Sequence, residues 1–228
     1  MVVGRLTRAV VELVFPARCV GCGSNGEFLC GECAGSMPLA DGPRCSRCWR
    51  PGAACLPCET APPPFDGLRS AFVYRGVVPD LVRALKYRGA TALAEPMAES
   101  LASTVGRYGM DTDVIVPVPL SGMRRRTRGY NQAEELARAL GRRLDMAVWP
   151  SALERRRDTP PQARSADAEE RRRNVAGAFH ANAPDIAGRR VLLVDDVTTT
   201  GATLAVCATA LKSAGARSVW GLTYARED

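Results

Sequence analysis

The sequence predicts an α/β fold: a parallel sheet with helices on both faces, preceded by a small cysteine-rich unit. Three observations predict it. From Phe65 onward, apolar strand-like runs alternate with amphipathic helical ones, the pattern of parallel strands joined by crossover helices. One of those runs, VLLV, passes straight into DDVTTTGATL, so a buried strand leads to two acids, a small hydroxyl-rich loop and a helix. Eight of the nine cysteines form four C-x-x-C pairs before residue 60, in a stretch too poor in large apolar residues to fold without cross-links.

Taken in order, residues 1–15 place Leu6, Ala9, Val10, Leu13 and Val14 at helical spacing, which predicts a short amphipathic helix. Arg5, Arg8 and Glu12 spoil the same stretch as a signal peptide. Nothing approaches the roughly 20 apolar residues of a membrane span, so no span and a cytoplasmic location are expected. Residues 16–64 are the Cys-, Gly- and Pro-rich unit and end in the linker APPP, expected to separate two cores. Residues 65–228 form the α/β domain.

Within that domain LRSAFVYRG reads as a strand, VVPDLVRALKYRG and LAEPMAESLASTV as helices, and DVIVPVP as a strand running into a loop. NQAEELARALGRRL is a helix with Asn131 as its N-cap, and MAVWPSAL a short strand. Residues 155–174 contain no apolar run and predict an exposed, mobile loop. RRVLLVDD is a buried strand, ATLAVCATALKSAG a helix and SVWGLTYA the last strand. His180 is expected to be structural, and Cys207 is expected in the core among Leu204, Ala208 and Leu211. Trp49, Trp149 and Trp220 are scattered and suggest no stacking platform.

The cysteine pairs are separated by seven, eleven and six residues. Each C-x-x-C can hold one tetrahedral metal with two sulfurs, and two pairs close a site of four thiolates. The short gaps favour Cys19, Cys22, Cys30 and Cys33 on one zinc and Cys45, Cys48, Cys55 and Cys58 on the other, with interleaved pairing as the alternative. Disulfides are the rival chemistry, disfavoured by the lack of a signal peptide. With every sulfur used, both zincs are structural; the unit either staples the N-terminus or binds nucleic acid or protein. Two zincs on eight thiolates also lower the formal charge from +7 to +3, so charge alone does not argue for nucleic acid.

Strand, acid pair, hydroxyl loop and helix is the topology of an anion site at the carboxyl end of a parallel strand. Thr198 to Thr203 would offer backbone N–H groups and hydroxyls to a phosphate at the helix N-terminus. Asp195 and Asp196 suit two neighbouring sugar hydroxyls, which donate to carboxylates. The ligand so outlined is a ribose 5-phosphate.

VLLVDDVTTTGAT resembles the thirteen-residue signature of type I phosphoribosyltransferases, which bind phosphoribosyl pyrophosphate (PRPP). The cysteine pairs, AFVYRG with LKYRG, VPVPLSGMRRRTRGYNQAEELA and RRRDTPPQ…RRRNVAGAF extend the resemblance over nearly the whole chain to the ComF family. That family joins a double zinc ribbon to a phosphoribosyltransferase domain and is associated with DNA uptake. The resemblance implies ribose binding by Asp195 and Asp196, and 5-phosphate binding by Thr198, Thr199, Thr200, Gly201, Ala202 and Thr203. It implies pyrophosphate binding by the loop carrying Leu120, Ser121, Gly122 and Arg124, and a lid carrying Arg155, Thr159, Gln162, Arg171 and Asn174. Asp195, Asp196 and Arg124 would be the catalytic set, with Mg²⁺ held mostly by ligand and water. Implied partners are PRPP, single-stranded DNA, and a competence helicase or other DNA-uptake proteins. One departure is Thr199, where purine-salvage members often carry an aspartate; threonine is no general base near neutral pH.

Arg124 to Arg128 holds four arginines, and Arg155 to Arg157 and Arg171 to Arg173 three each. Their guanidiniums suit diphosphate, strand phosphates or plain solvent, and the sequence leaves all three open. A transferase of unknown acceptor, a non-catalytic PRPP-binding scaffold and a single-stranded DNA-binding competence factor are the competing functions.

Overall fold

The computed structural model describes residues 17–87, 89–156 and 178–228. The helix expected over residues 1–15, most of the expected lid with Thr159, Gln162, Arg171 and Asn174, and Arg157 fall outside these. A five-stranded parallel sheet forms the frame, in the spatial order β1 (Gly67–Val73), β7 (Ser218–Arg226), β6 (Arg190–Thr198), β2 (Val114–Pro117), β3 (Ala147–Val148). Strand residues alternate between two apolar layers, as the period of two requires. Ile115, Leu192, Val194, Leu222 and Tyr224 face one layer with α1 (Val78–Tyr87), α2 (Ala94–Arg107) and α4 (Gln132–Leu144). Val114, Val116, Val191, Leu193 and Val219 face the other with α5 (Ala202–Ser213). Helices on both faces of a parallel sheet are thus observed.

Three details differ from the sequence expectations. MAVWPSAL is two strands: β3 extends the main sheet, while β4 (Leu153–Arg155) pairs antiparallel with β5 (Phe179–Ala181), because Trp149–Ala152 turns the chain. His180 lies within β5. The arginine-rich stretch after DVIVPVP is mostly helix: Ser121 caps α3 (Gly122–Arg128) by accepting from Arg124 N at 3.3 Å, and Gly129, at φ 84°, ends it. β6 also runs on through the acid pair to Thr198, since β7 continues the ladder, with Asp195 opposite Thr223 and Thr198 opposite Arg226.

The cysteine unit does not stand apart from the domain. Val20, Leu29 and Ala34 pack on the first apolar layer, and Leu39 bridges to Phe72. Cys45, Cys48, Trp49 and Cys55 belong to the second layer, together with Leu68, Val116 and Leu204. The APPP linker therefore joins two parts of one core. No described helix is long and apolar enough to cross a membrane.

Candidate functional site

Both cysteine groups close as the short gaps suggest. The sulfurs of Cys19, Cys22, Cys30 and Cys33 lie within 4.8 Å of one another, and so do those of Cys45, Cys48, Cys55 and Cys58. Zinc–sulfur bonds of about 2.3 Å at tetrahedral angles put sulfurs about 3.8 Å apart. The Cys22–Cys30 and Cys48–Cys55 separations, 3.7 and 3.5 Å, fit that edge. Backbone N–H groups point at the sulfurs: Cys30 N donates to Cys19 Sγ at 3.4 Å. Burial works to raise the Cys19 thiol, but such N–H groups outweigh it and bring it down to about 6, toward the thiolate a metal needs. Two structural zinc sites follow from four-sulfur geometry with no open position.

At the carboxyl ends of β2 and β6 lies a cavity of about 710 Å³, lined among others by Lys86, Arg124, Arg128, Gln132, Asp195 and Asp196. Its floor is a polar chain. Asp196, only 3% exposed, faces the Lys86 ammonium at 2.5 Å through Oδ2 and accepts from Gln132 Nε2 at 3.4 Å through Oδ1. Gln132 Oε1 in turn accepts from Arg128. Asp195 Oδ1 accepts from the Asp196 backbone N–H at 2.8 Å. Burial, and then the neighbouring Asp196 charge, push the Asp195 carboxyl well above the usual carboxylate range, with Lys86 pulling the other way. Two adjacent carboxyls can engage two neighbouring hydroxyls.

The loop beyond β6 turns at Gly201, whose φ of 80° is left-handed and where an added side chain would meet Leu68 and Phe65. Thr200 Oγ1 accepts from Ala202 N at 3.3 Å. The other N–H groups of this first turn of α5 have no partner within the helix, which leaves it suited to an anion.

The predicted residues divide into groups. Leu120, Arg124, Arg155, Asp195, Asp196 and Thr203 line the one cavity. Ser121 is buried as the α3 cap, and Gly122 opens that helix. Thr198 is buried, Thr199 exposed, and Thr200, Gly201 and Ala202 line a second groove of about 980 Å³ behind the loop. Gln162 lies outside the described residues. Lys86, Gln132 and Tyr130 were not foreseen. Their signal was already in LKYRG and GYNQ, polar residues next to the apolar stripes of α1 and α4. Asn131 fixes this corner: Oδ1 accepts from Ala133 N, and Nδ2 donates to Val118 O at 3.0 Å.

A family model of the phosphoribosyl transferase domain matches residues 88–221, and one of a double zinc ribbon domain matches residues 10–62. Competence protein F of Haemophilus influenzae is 31% identical over 229 residues, covering 92% of this chain and 98% of that protein. The DNA utilization protein YhgH of Escherichia coli K12 is 32% identical over 200 residues, covering 84% and 87%. Competence protein ComFC of Bacillus subtilis is 30% identical over 211 residues, covering 88% and 85%.

Proposed function

From the premise that the chain belongs to the ComF family, a double zinc ribbon joined to a phosphoribosyltransferase domain, we propose that it binds PRPP with Mg²⁺ and transfers the phosphoribosyl group with release of pyrophosphate. One observation carries this: Asp195 and Asp196 open into the same cavity as Arg124, Arg128 and Lys86, next to the α5 N-terminus. The acid pair takes the ribose 2- and 3-hydroxyls. The turn Thr198–Thr203 takes the 5-phosphate on its N–H groups. Arg124 and Arg128 neutralise the diphosphate and hold it in line as it leaves the anomeric carbon. The carboxylate oxygens suit a hard cation, and Mg²⁺ would supply charge neutralisation at the diphosphate. Lys86 pairs with Asp196 at the floor of the same cavity.

Calorimetry of PRPP with Mg²⁺ tests the reading on wild type and on Asp195→Asn with Asp196→Asn. A hydrogen bond to a charged acceptor contributes about 1.5–3 kcal/mol, so the double variant should bind PRPP far more weakly at unchanged fold. Equal affinity would move the ribose elsewhere. Pyrophosphate release on adding candidate acceptors then separates a transferase from a PRPP-binding scaffold.

The relatives' names concern competence and DNA utilization, and a second reading follows them: the chain acts in DNA uptake and contacts single-stranded DNA. The observation favouring it is α3, which exposes Arg124, Arg125 and Arg126 beside the exposed Tyr87.

A further inference from the structure

Arg69 is 9% exposed, and among the described residues it has no carboxylate partner. Its guanidinium lies over Trp49 at 4.3 Å, Trp220 at 5.2 Å and Tyr108 at 5.3 Å. Nη1 donates to the carbonyls of Ser46 and Leu68 at 2.7 and 2.8 Å, and Nε has no partner. Aromatic faces and two carbonyls ease a buried cation but do not neutralise it. A second guanidinium, Arg226, is 2% exposed; it donates to Cys48 O at 3.0 Å and to Asp228 at 2.7 Å. Arg44, its side chain 5% exposed, clamps both oxygens of the same Asp228 and also donates to Trp49 O. Arg226 and Arg44 thus share the Asp228 carboxylate and Arg69 has none, so three guanidiniums stand against one side-chain carboxylate and two positive charges are left without a carboxylate partner.

Two negative charges are what a zinc ion on four thiolates carries. We propose that Arg69, Arg226 and Arg44, with Asp228, are the buried counter-charge of a zinc held by Cys45, Cys48, Cys55 and Cys58, and that through them this metal braces the phosphate loop. The contacts favour this knuckle specifically. The carbonyls of Ser46, Arg47 and Cys48 accept in turn from Arg69, Leu68 N and Arg226, so strands β1 and β7 grip the knuckle residue by residue. Arg226 is also the ladder partner of Thr198, and Glu227 N donates to Thr198 O at 2.9 Å. Leu68, held to Arg47, lies where it would meet any side chain placed at Gly201 in the same loop. Cys48, Cys58, Thr200, Gly201 and Ala202 line one groove. Metal charge, two strand ends and the loop are one contiguous structure. The term "phosphate loop" rests on the proposed function; the charge pairing does not.

Full-length, zinc-loaded protein is challenged with a chelator, and each cysteine's exposure is timed by alkylation and mass spectrometry without PRPP. Arg69→Gln should free Cys45, Cys48, Cys55 and Cys58 roughly tenfold faster or more, since it leaves a buried dianion short of a cation, while the Cys19 group keeps its rate. Arg69→Lys, which keeps the charge, should stay nearer wild type. Equal acceleration of both groups, no acceleration, or better retention by Gln than by Lys would each overturn the proposal. Hydrogen exchange on wild type decides the loop even where a variant does not fold: residues 198–203 should exchange faster once the second zinc is lost, and unchanged exchange refutes the brace. PRPP affinity enters none of these readouts, so a failure here is separate from a failure of the transferase reading.

Discussion

The two cysteine knuckles share a motif and a ligand set but differ in what surrounds them. In the first, Cys19 is buried, Cys22 exposed and Cys30 and Cys33 half-buried, on a flap that touches the sheet's first layer through Val20, Leu29 and Ala34. Cys45, Cys48 and Cys55 are buried inside the second layer, with three arginines and the end of β7 around them. A zinc knuckle is therefore a local staple in one place and part of a domain core in the other. The difference lies in neighbours brought from far along the chain, since the ligand spacing is nearly the same.

The largest effect expected from this contrast is on global stability. Cys48→Ser should destabilise the whole chain by about 3–5 kcal/mol, the range for stranding buried charges without their partner. Cys30→Ser should release its own zinc while the sheet melts close to the wild-type temperature. Thermal unfolding followed by Trp fluorescence and metal content compares them; similar losses from both would erase the distinction. Arg44→Ala comes next. It removes two charge-assisted bonds to Asp228 and one to Trp49 O, and should lower stability by about 1.5–3 kcal/mol in urea titrations.

The acid pair offers a smaller test of the same principle. Where the second knuckle has buried cations beside it, Asp196 pairs with the Lys86 ammonium and the neighbouring Asp195 is held next to it by burial. In the unfolded chain Asp195 releases its proton near pH 4, at about 3.9. In the fold it holds the proton to higher pH, so the native state binds more protons across that window. Stability should fall as pH rises from the unfolded value through the raised native one, then remain flat. Asp195→Asn should abolish that fall, as measured by urea midpoints over the acid-to-neutral range.

How much of this was legible in the sequence follows from range. The cysteine grouping was legible because ligands of one zinc sit seven or six residues apart. β6 and its acid pair were legible because VLLV and DD are adjacent. Arg69 in GLRSAF and Arg226 in YARED carry no such local mark. Arg226 meets Cys48 across 178 positions and Arg44 meets Asp228 across 184, and no periodicity encodes that. Trp49 and Trp220 looked scattered for the same reason, yet they flank one guanidinium. The β4–β5 pair was missed because each strand has only three residues, too few for an alternation to register.

The smallest expected effect concerns DNA and asks which knuckle, if either, takes part. Each phosphate neutralised on a single strand contributes about 0.7 to the slope of log affinity against log salt. Replacing Arg124, Arg125 and Arg126 by alanine should flatten that slope by about 2 if all three meet phosphates. PRPP with Mg²⁺ should compete, because Arg124 lines the acid-pair cavity while Arg125 and Arg126 face solvent. The first knuckle is the exposed alternative, but its charges run the wrong way: Ala17–Ser36 sets Arg18 against Glu27 and Glu32, and a zinc on four thiolates adds two more negative charges. Cys30→Ser should therefore leave the salt slope and the competition as they are in wild type. Loss of DNA binding in that variant, with α3 intact, would transfer the nucleic-acid role to the exposed knuckle and leave the buried one with structure alone.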